Sequence, residues 1–352
     1  MMRDATTSLT LWLPGLLSPQ RVLESSENLS SEDMPLLKQL LAKADRLPMK
    51  MQGFYQTASY LFHQPSTLPP AATMASIEID GFDADAFWLR MDPAQMIPDR
   101  DSLVLIPPSE LAISDEEAKA LIDTFNQHFE EDRVRLEFGS ADHWYLRIAQ
   151  AVDLHTTPLD EVAFQHLGQA FPTGNAAHYW RQLMNEVQML FFDHPVNQSR
   201  REQGIPEINS IWPWGEGLLD MAQIKHRPSA HIWSTHPYLQ GMSGLSGAAT
   251  HAAPESYMDW LNQLDVETGG HHLVLLETSL NALSGWTLPQ WLEALKLMEE
   301  SWFSEILNGL KSGRLQSVLL DFGMGYRYHL EPKHMKRFWR RKRSLTHFVA
   351  QT

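Results

Sequence analysis

Asn209-Ser210-Ile211-Trp212-Pro213-Trp214-Gly215-Glu216-Gly217 gathers two indoles, two glycines and a carboxylate into one short stretch. A plain buried strand would use branched aliphatics here. Glycine beside large rings lets the backbone come close to a neighbour and supplies positive φ where a turn requires it. The stretch therefore reads as a shaped loop, with Asn209, Trp212, Trp214 and Glu216 as candidate ligand contacts. Aromatic-rich segments also serve as core plugs, and that alternative stays open at this point.

Working outward, His178 to Phe192 reads as a helix on which Asn185 and Gln188, three residues apart, share a face. They are candidates either to hydrogen-bond the Asn209 to Gly217 segment or to line a pocket beside it. Downstream, Ala230 to Trp233, Leu273 to Leu276 and Ser317 to Leu320 read as short buried strands. Thr287 and Gln290 form a capping box with Pro289 in the first turn. The helix they open carries Trp291, Leu295, Met298, Trp302 and Ile306 down one side and stops at Gly313. Strand, long helix and strand at this spacing predict a right-handed crossover in a largely parallel sheet.

The first half is less regular. Ser8 to Leu13 reads as a buried strand ended by Pro14-Gly15, followed by a polar loop, Glu24 to Asp33, and a helix, Met34 to Asp45. Gln64 to Ala72 is rich in proline and threonine and predicts an exposed connector. Phe87 to Arg90, Leu103 to Ile106 and Trp144 to Ile148 read as strands. Ser114 and Glu117 form a capping box for a helix running to Phe129, and Asp160 to Ala170 reads as another helix. No internal repeat is visible. The expected fold is α/β with a largely parallel central sheet and helices on both faces. We expect a single elaborated domain, 1–352, that admits division into 1–172, 173–332 and a basic tail, 333–352.

The chain has 352 residues, 43% of them hydrophobic, no cysteine, and 28 basic against 43 acidic residues for a net charge of −15. Disulfides, thiolate metal sites and cysteine nucleophiles are excluded, and the cytoplasm is the expected compartment. Acidity on this scale argues against a general nucleic-acid affinity of the body. Charges or prolines interrupt every apolar run before the roughly 18 residues that a membrane span requires. The N-terminus does not read as a cleaved leader, because Asp4 follows Arg3 and Pro14-Gly15 breaks the patch from Leu9 to Leu17.

Four segments together resemble the RpfE-type bacterial regulatory proteins, a phosphoglycerate-mutase-like family. They are Leu13-Pro14-Gly15-Leu16-Leu17, Asn185-Glu186-Val187-Gln188-Met189-Leu190, His194-Pro195-Val196-Asn197 with Arg201-Glu202, and Asn209 to Gly217. Weaker agreement continues through Trp233-Ser234, Gly241 and Trp302-Phe303. The Asn209 to Gly217 stretch is also similar to a loop of the archaeal-type cofactor-independent phosphoglycerate mutases, members of the alkaline phosphatase superfamily. That resemblance implies an α/β sandwich in which a serine or threonine nucleophile and two divalent metals sit at strand ends. The sequence departs from it where the metals bind. The mutases end their first strand in aspartate and glycine, whereas Pro14 precedes Gly15 here with no acid between Leu9 and Gln20. A later mutase strand leads into a glutamate, an aspartate and a histidine that hold metal. Here Leu273 to Glu277 leads into Thr278-Ser279-Leu280-Asn281-Ala282-Leu283-Ser284, without the last two ligand types. Paired hard cations need several converging carboxylates and imidazoles, so we expect no bound metal and no cofactor.

His226, His231, His236, His251, His271 and His272 read as structural or solvent-facing, since no helical pair with an intervening glutamate occurs among them. Ser234-Thr235-His236 and then Ser243-Gly244-Leu245-Ser246-Gly247 offer hydroxyls amid glycine, but Gly241-Met242-Ser243-Gly244 misses the Gly-x-Ser-x-Gly frame by a residue and Gly244-Leu245-Ser246-Gly247 misses it too. Ser234 and Glu277 remain ligand-binding candidates. After Glu331, Lys333, Lys336, Arg337, Arg340, Arg341, Lys342 and Arg343 surround Phe338-Trp339. Of these, Arg337, Arg340, Arg341 and Arg343 are candidate contacts to phosphate, nucleic acid or an anionic surface; folding back onto the acidic body is the alternative. The functional expectation is a catalytically silent mutase-like regulator binding a protein partner or a small phosphorylated ligand. An enzyme acting on such a ligand, phosphoglycerate for example, is the alternative.

Overall fold

A computed structural model describes residues 7–17, 34–49, 53–100, 102–132, 134–264, 269–277, 279, 287–323 and 325–349. The polar loop expected at Glu24 to Asp33 and most of the segment after Glu277 lie outside the described residues. The chain forms two compact units: Met1–Thr67 with Lys225–Thr352, and Leu68–Ile224. The expected subdivision point after residue 172 falls inside the second unit, and 333–352 belongs to the first.

With strands numbered along the chain, the first unit holds β1 (Thr7–Trp12), β2 (Asp45–Pro48), β8 (Ala230–Trp233), β9 (Ala249–His251), β10 (Gly270–Leu275), β11 (Ser317–Asp321) and β12 (Tyr326–Leu330). They form a seven-stranded sheet in the order β2-β12-β11-β1-β10-β8-β9. β1 runs parallel to both β10 and β11, and β8 parallel to β10 and β9. The chain from β10 to β11 therefore crosses over β1, while β12 and β2 add an antiparallel edge. Both faces are covered, which is why these strands read as near-continuous apolar runs. On one face Leu9, Leu11, Val274, Val318 and Leu320 share a core with Leu37, Trp291, Leu295 and Ile306 from flanking helices. On the other face Trp12 stacks on Phe54 of helix Phe54–Leu61, with ring centres 4.6 Å apart.

The Thr287 capping box forms as expected, and its helix, Leu288–Met298, passes through a π-helical turn, Glu299–Phe303, before Ser304–Ser312 ends at Gly313 (φ 77°). Within that turn the Glu299 carboxylate accepts hydrogen bonds from the backbone amides of Leu36 and Leu37. It thereby caps helix Pro35–Lys43, whose own N-cap, Met34, contributes no side-chain bond. A carboxylate here satisfies amides that lack intrahelical partners and meets the positive end of the helix dipole.

The second unit is built on antiparallel strands: β3 (Phe87–Asp99), β4 (Ser102–Ile106), β5 (Leu136–Phe138), β6 (Trp144–Ile148) and β7 (Ser210–Gly217). Three expectations are corrected here. Ser210 to Gly217 is a strand rather than a shaped loop: it pairs with β3 from Ala94↔Ser210 to Trp88↔Gly217, and its indoles are core side chains. Gln64 to Ala72 is not wholly an exposed connector, because Pro70 opens helix Pro70–Glu78 and Leu68, Ala71 and Ala72 are buried. Asp160 to Ala170 is helical only over Leu159–Val162, after which the chain makes isolated bridges to β4 through Ala163 and His166. The Ser114 capping box and helix Asp115–His128 form as expected.

Candidate functional site

The carboxyl ends of parallel strands are where an α/β sheet presents ligand-binding groups, and in the first unit these ends bring Ser234 and Glu277 together. Ser234 follows β8 and Glu277 follows β10, two neighbouring strands. The Ser234 hydroxyl donates to Glu277 Oε1 at 2.8 Å, the Thr235 amide donates to the same oxygen at 2.5 Å, and the Thr235 hydroxyl donates to Oε2 at 2.5 Å. Ser234 Oγ in turn accepts from the His236 amide at 3.0 Å. His236 caps helix Pro237–Ser246 by accepting from the Tyr238 amide, and its ring packs 4.5 Å from Phe54. Burial pushes the Glu277 carboxyl up, but the hydrogen bonds from Thr235 and Ser234 outweigh it and leave the group below the usual carboxylate range. A carboxylate held this way is anionic and accepts on both oxygens.

The neighbouring strand ends offer little else to a cation. After β1 the chain turns through Pro14-Gly15, with the Gly15 amide donating to Phe322. At the end of β11, the buried Asp321 accepts from Arg327 Nε at 2.8 Å and from the Gly323 amide at 2.8 Å. Burial pushes the Asp321 carboxyl up despite those two bonds. Among the described residues no three histidine, aspartate or glutamate side chains are placed to hold a metal ion. Among the described residues the donor set does not fit the paired cations that the mutase resemblance implies.

His231, His251 and His272 cluster with Trp233. His231 Nδ1 lies 3.0 Å from His251 Nε2 and its ring stacks 4.6 Å from His272, while Trp233 stacks 4.0 Å from His251. His271 points to the other side of β10 and meets the Thr10 hydroxyl at 3.0 Å.

Asn209, Trp212, Trp214, Glu216, Asn185 and Gln188 all belong to the second unit. Trp212 Nε1 donates to the Thr157 carbonyl at 2.9 Å, and Trp214 Nε1 donates to Asp92 Oδ2 at 2.7 Å. Glu216 accepts from the Thr156 amide and hydroxyl, and Asn209 pairs with the Met96 backbone in both directions. All four are engaged within the unit. Asn185 and Gln188 do not hydrogen-bond β7; Gln188 reaches Met96 Sδ at 3.5 Å. With Arg181, Met184, Gln169 and Phe171 they line an open cavity of about 310 Å³.

Sequence reasoning missed a charged network inside this unit. Arg90 and Asp92, both almost fully buried, pair through Arg90 Nη2 at 2.6 Å and Nε at 2.8 Å. Glu78 accepts from the Tyr145 hydroxyl at 2.5 Å and lies 2.9 Å from His143 Nδ1. Burial pushes Glu78 up, but His143 and Tyr145 pull it below its ordinary value. The signal was present as Arg90 and Asp92 interrupting the apolar run from Phe87. Charges at such positions require partners.

The basic segment splits in two. Arg337 forms a two-point ion pair with Asp45 at 2.6 and 3.0 Å, and Arg340 donates to the Ala44 carbonyl and lies 3.4 Å from Asp45. The Arg337 hydrogen bond holds the Asp45 carboxyl below its usual range. Folding back is thus realised for Arg337 and Arg340. Arg341 and Arg343 instead line a cavity.

No protein-family model matches the chain. In sequence it is similar to 2,3-bisphosphoglycerate-independent phosphoglycerate mutases. It is 24% identical over 220 residues to that of Methanosarcina acetivorans, 55% of each chain. It is 22% identical over 286 residues to that of Methanothrix thermoacetophila, 73% of this chain and 72% of that one. The chain spans about half the length of the first curated relatives it matches, 43% for the mutase of Methanosarcina mazei and 55% for that of M. acetivorans. In structure it is similar to the PH0037 protein from Pyrococcus horikoshii, with a TM-score of 0.50 and 13% identity over 92% of this chain and 86% of that one. The chain therefore has a phosphoglycerate-mutase-like α/β fold and low-identity sequence similarity to archaeal mutases.

Proposed function

We propose that the chain is a mutase-like binding or regulatory protein that recognises a small phosphorylated ligand or a protein partner and performs no two-metal phosphotransfer. The observation that supports this most directly is Glu277, whose two oxygens are engaged by Ser234 and Thr235. A hard cation needs carboxylate lone pairs directed at it by several residues at once. Glu277 ties two strand ends together instead, and Asp321 is tied to Arg327. The regulatory part of the proposal rests on the resemblance of four segments to RpfE-type proteins. A cytoplasmic setting belongs to the same proposal and rests on the lack of cysteine. No described helix is long and apolar enough to cross a membrane.

A second reading is favoured by one contact. Ser234 Oγ lies 2.8 Å from Glu277, the distance at which a carboxylate takes the proton as a hydroxyl oxygen attacks phosphorus. Against it, a carboxylate depressed below its usual range is a weak base at neutral pH. Assaying the purified protein for interconversion of phosphoglycerate isomers, with and without manganese, separates the two. We expect no turnover above the uncatalysed background. Turnover that disappears in Ser234→Ala and Glu277→Ala would establish the enzyme.

A further inference from the structure

We propose that the first unit carries a nucleotide-binding cavity built by the basic segment, independent of the strand-end cluster. The cavity has a volume of about 570 Å³, within the ~300–1,000 Å³ usual for small-ligand sites. Its lining has two chemistries. Arg46, Arg341, Lys342 and Arg343 supply cationic groups, and Trp339, Tyr328 and Phe348 supply rings, with Leu41 and Ala42 adding apolar wall.

A carboxylate takes up part of the charge there, at Arg340, which also belongs to the lining. Asp45 takes up Arg337 and Arg340. Among the described residues no carboxylate pairs with Arg341, Lys342 or Arg343; Arg343 instead lies 3.0 Å from His347 Nε2. These cations gather on a protein of net charge −15, so the cavity is a local reversal of the prevailing field and attracts anions that the rest of the surface repels. Guanidinium groups bind phosphate oxygens through two parallel hydrogen bonds, which a diphosphate or triphosphate satisfies better than a single carboxylate.

The rings narrow the ligand class further. Trp339 keeps 65% of its surface exposed although an indole ordinarily seeks cover, and it stands in the same lining as Arg341, Lys342 and Arg343. A nucleobase stacks on such a ring and on guanidinium planes, whereas inorganic phosphate gains nothing from it. A phosphate chain with an attached aromatic base satisfies both halves of the cavity.

The test is equilibrium binding of ATP, pyrophosphate, adenosine and a single-stranded 20-mer RNA to the full chain and its variants. We expect saturable binding of ATP, weaker binding of pyrophosphate, and still weaker binding of adenosine. Replacing Arg341, Lys342 and Arg343 together with alanine should weaken ATP about tenfold or more. Trp339→Ala should weaken ATP about fivefold or more while leaving pyrophosphate unchanged. Should the triple variant fail to fold, Lys342→Glu, at an exposed position, provides the same comparison. Absence of saturable ATP binding, ATP affinity unmoved by these substitutions, pyrophosphate binding as tight as ATP, or RNA binding tighter than ATP would each overturn the proposal.

Discussion

At the scale of single residues, Glu277 has both carboxylate oxygens engaged. Its bonds to Ser234 and Thr235 join β8 to β10 and hold the carboxyl below its ordinary value of 4.5. Ser234→Ala should cost about 1–2 kcal/mol in urea unfolding, because a buried hydroxyl bond to a charged acceptor is lost; an unchanged midpoint would contradict this. The sign of the pH effect follows from the depressed value. The stabilisation is present above pH 4.5 and is lost as pH falls through the lower folded value, so Glu277→Gln should flatten the acid end of the stability profile. In the second unit, Arg90→Met leaves Asp92 buried with its charged partner gone and, among the described residues, the Trp214 indole still donating. We expect a loss of about 3–5 kcal/mol by chemical denaturation.

At the scale of elements, β7 departs from the loop that its composition predicts. Its glycines are there for close approach: a Cβ on Gly217 (φ +156°) would sit 2.5 Å from Pro69 Cβ, and one on Gly215 (φ +70°) would sit 3.1 Å from Pro70 Cβ. Gly217→Ala should therefore destabilise by about 1–3 kcal/mol, read as a lowered thermal midpoint. Glycine beside large rings does signal close backbone approach, but it does not distinguish a loop from a strand, which the pairing with β3 reveals. The elements that were legible carry local signals: the Ser114 and Thr287 capping boxes, Gly313, and the apolar runs of β1, β10 and β11. The cap that Glu299 provides to helix Pro35–Lys43 was illegible because its partners are 262 and 263 residues away. Of the candidate site residues, Ser234 and Glu277 do meet, yet nothing in their spacing along the chain shows that β8 and β10 are neighbours.

At the scale of the whole molecule, the chain combines a parallel sheet unit with an antiparallel unit inserted between residues 67 and 225. The first unit buries neutral histidines, and this sets its response to acid. Burial, with His63 and Arg227 nearby, lowers His271 from 6.5 to about 4, and burial also lowers His231 and His251. Between those two values the unfolded chain binds a proton at His271 that the folded one refuses, so stability falls as pH drops from 6.5 towards 4. Unfolding free energies measured across that window should slope downward with acidification, less steeply in His271→Leu; identical slopes would count against it. The central claim concerns the strand ends, where the carboxylates are tied to hydroxyls, amides and an arginine rather than held ready for cations. It is tested most directly by elemental analysis of protein purified in manganese and then dialysed without chelator. The account predicts well under one manganese per chain, whereas two tightly retained ions per chain, lost in Glu277→Gln, would contradict it.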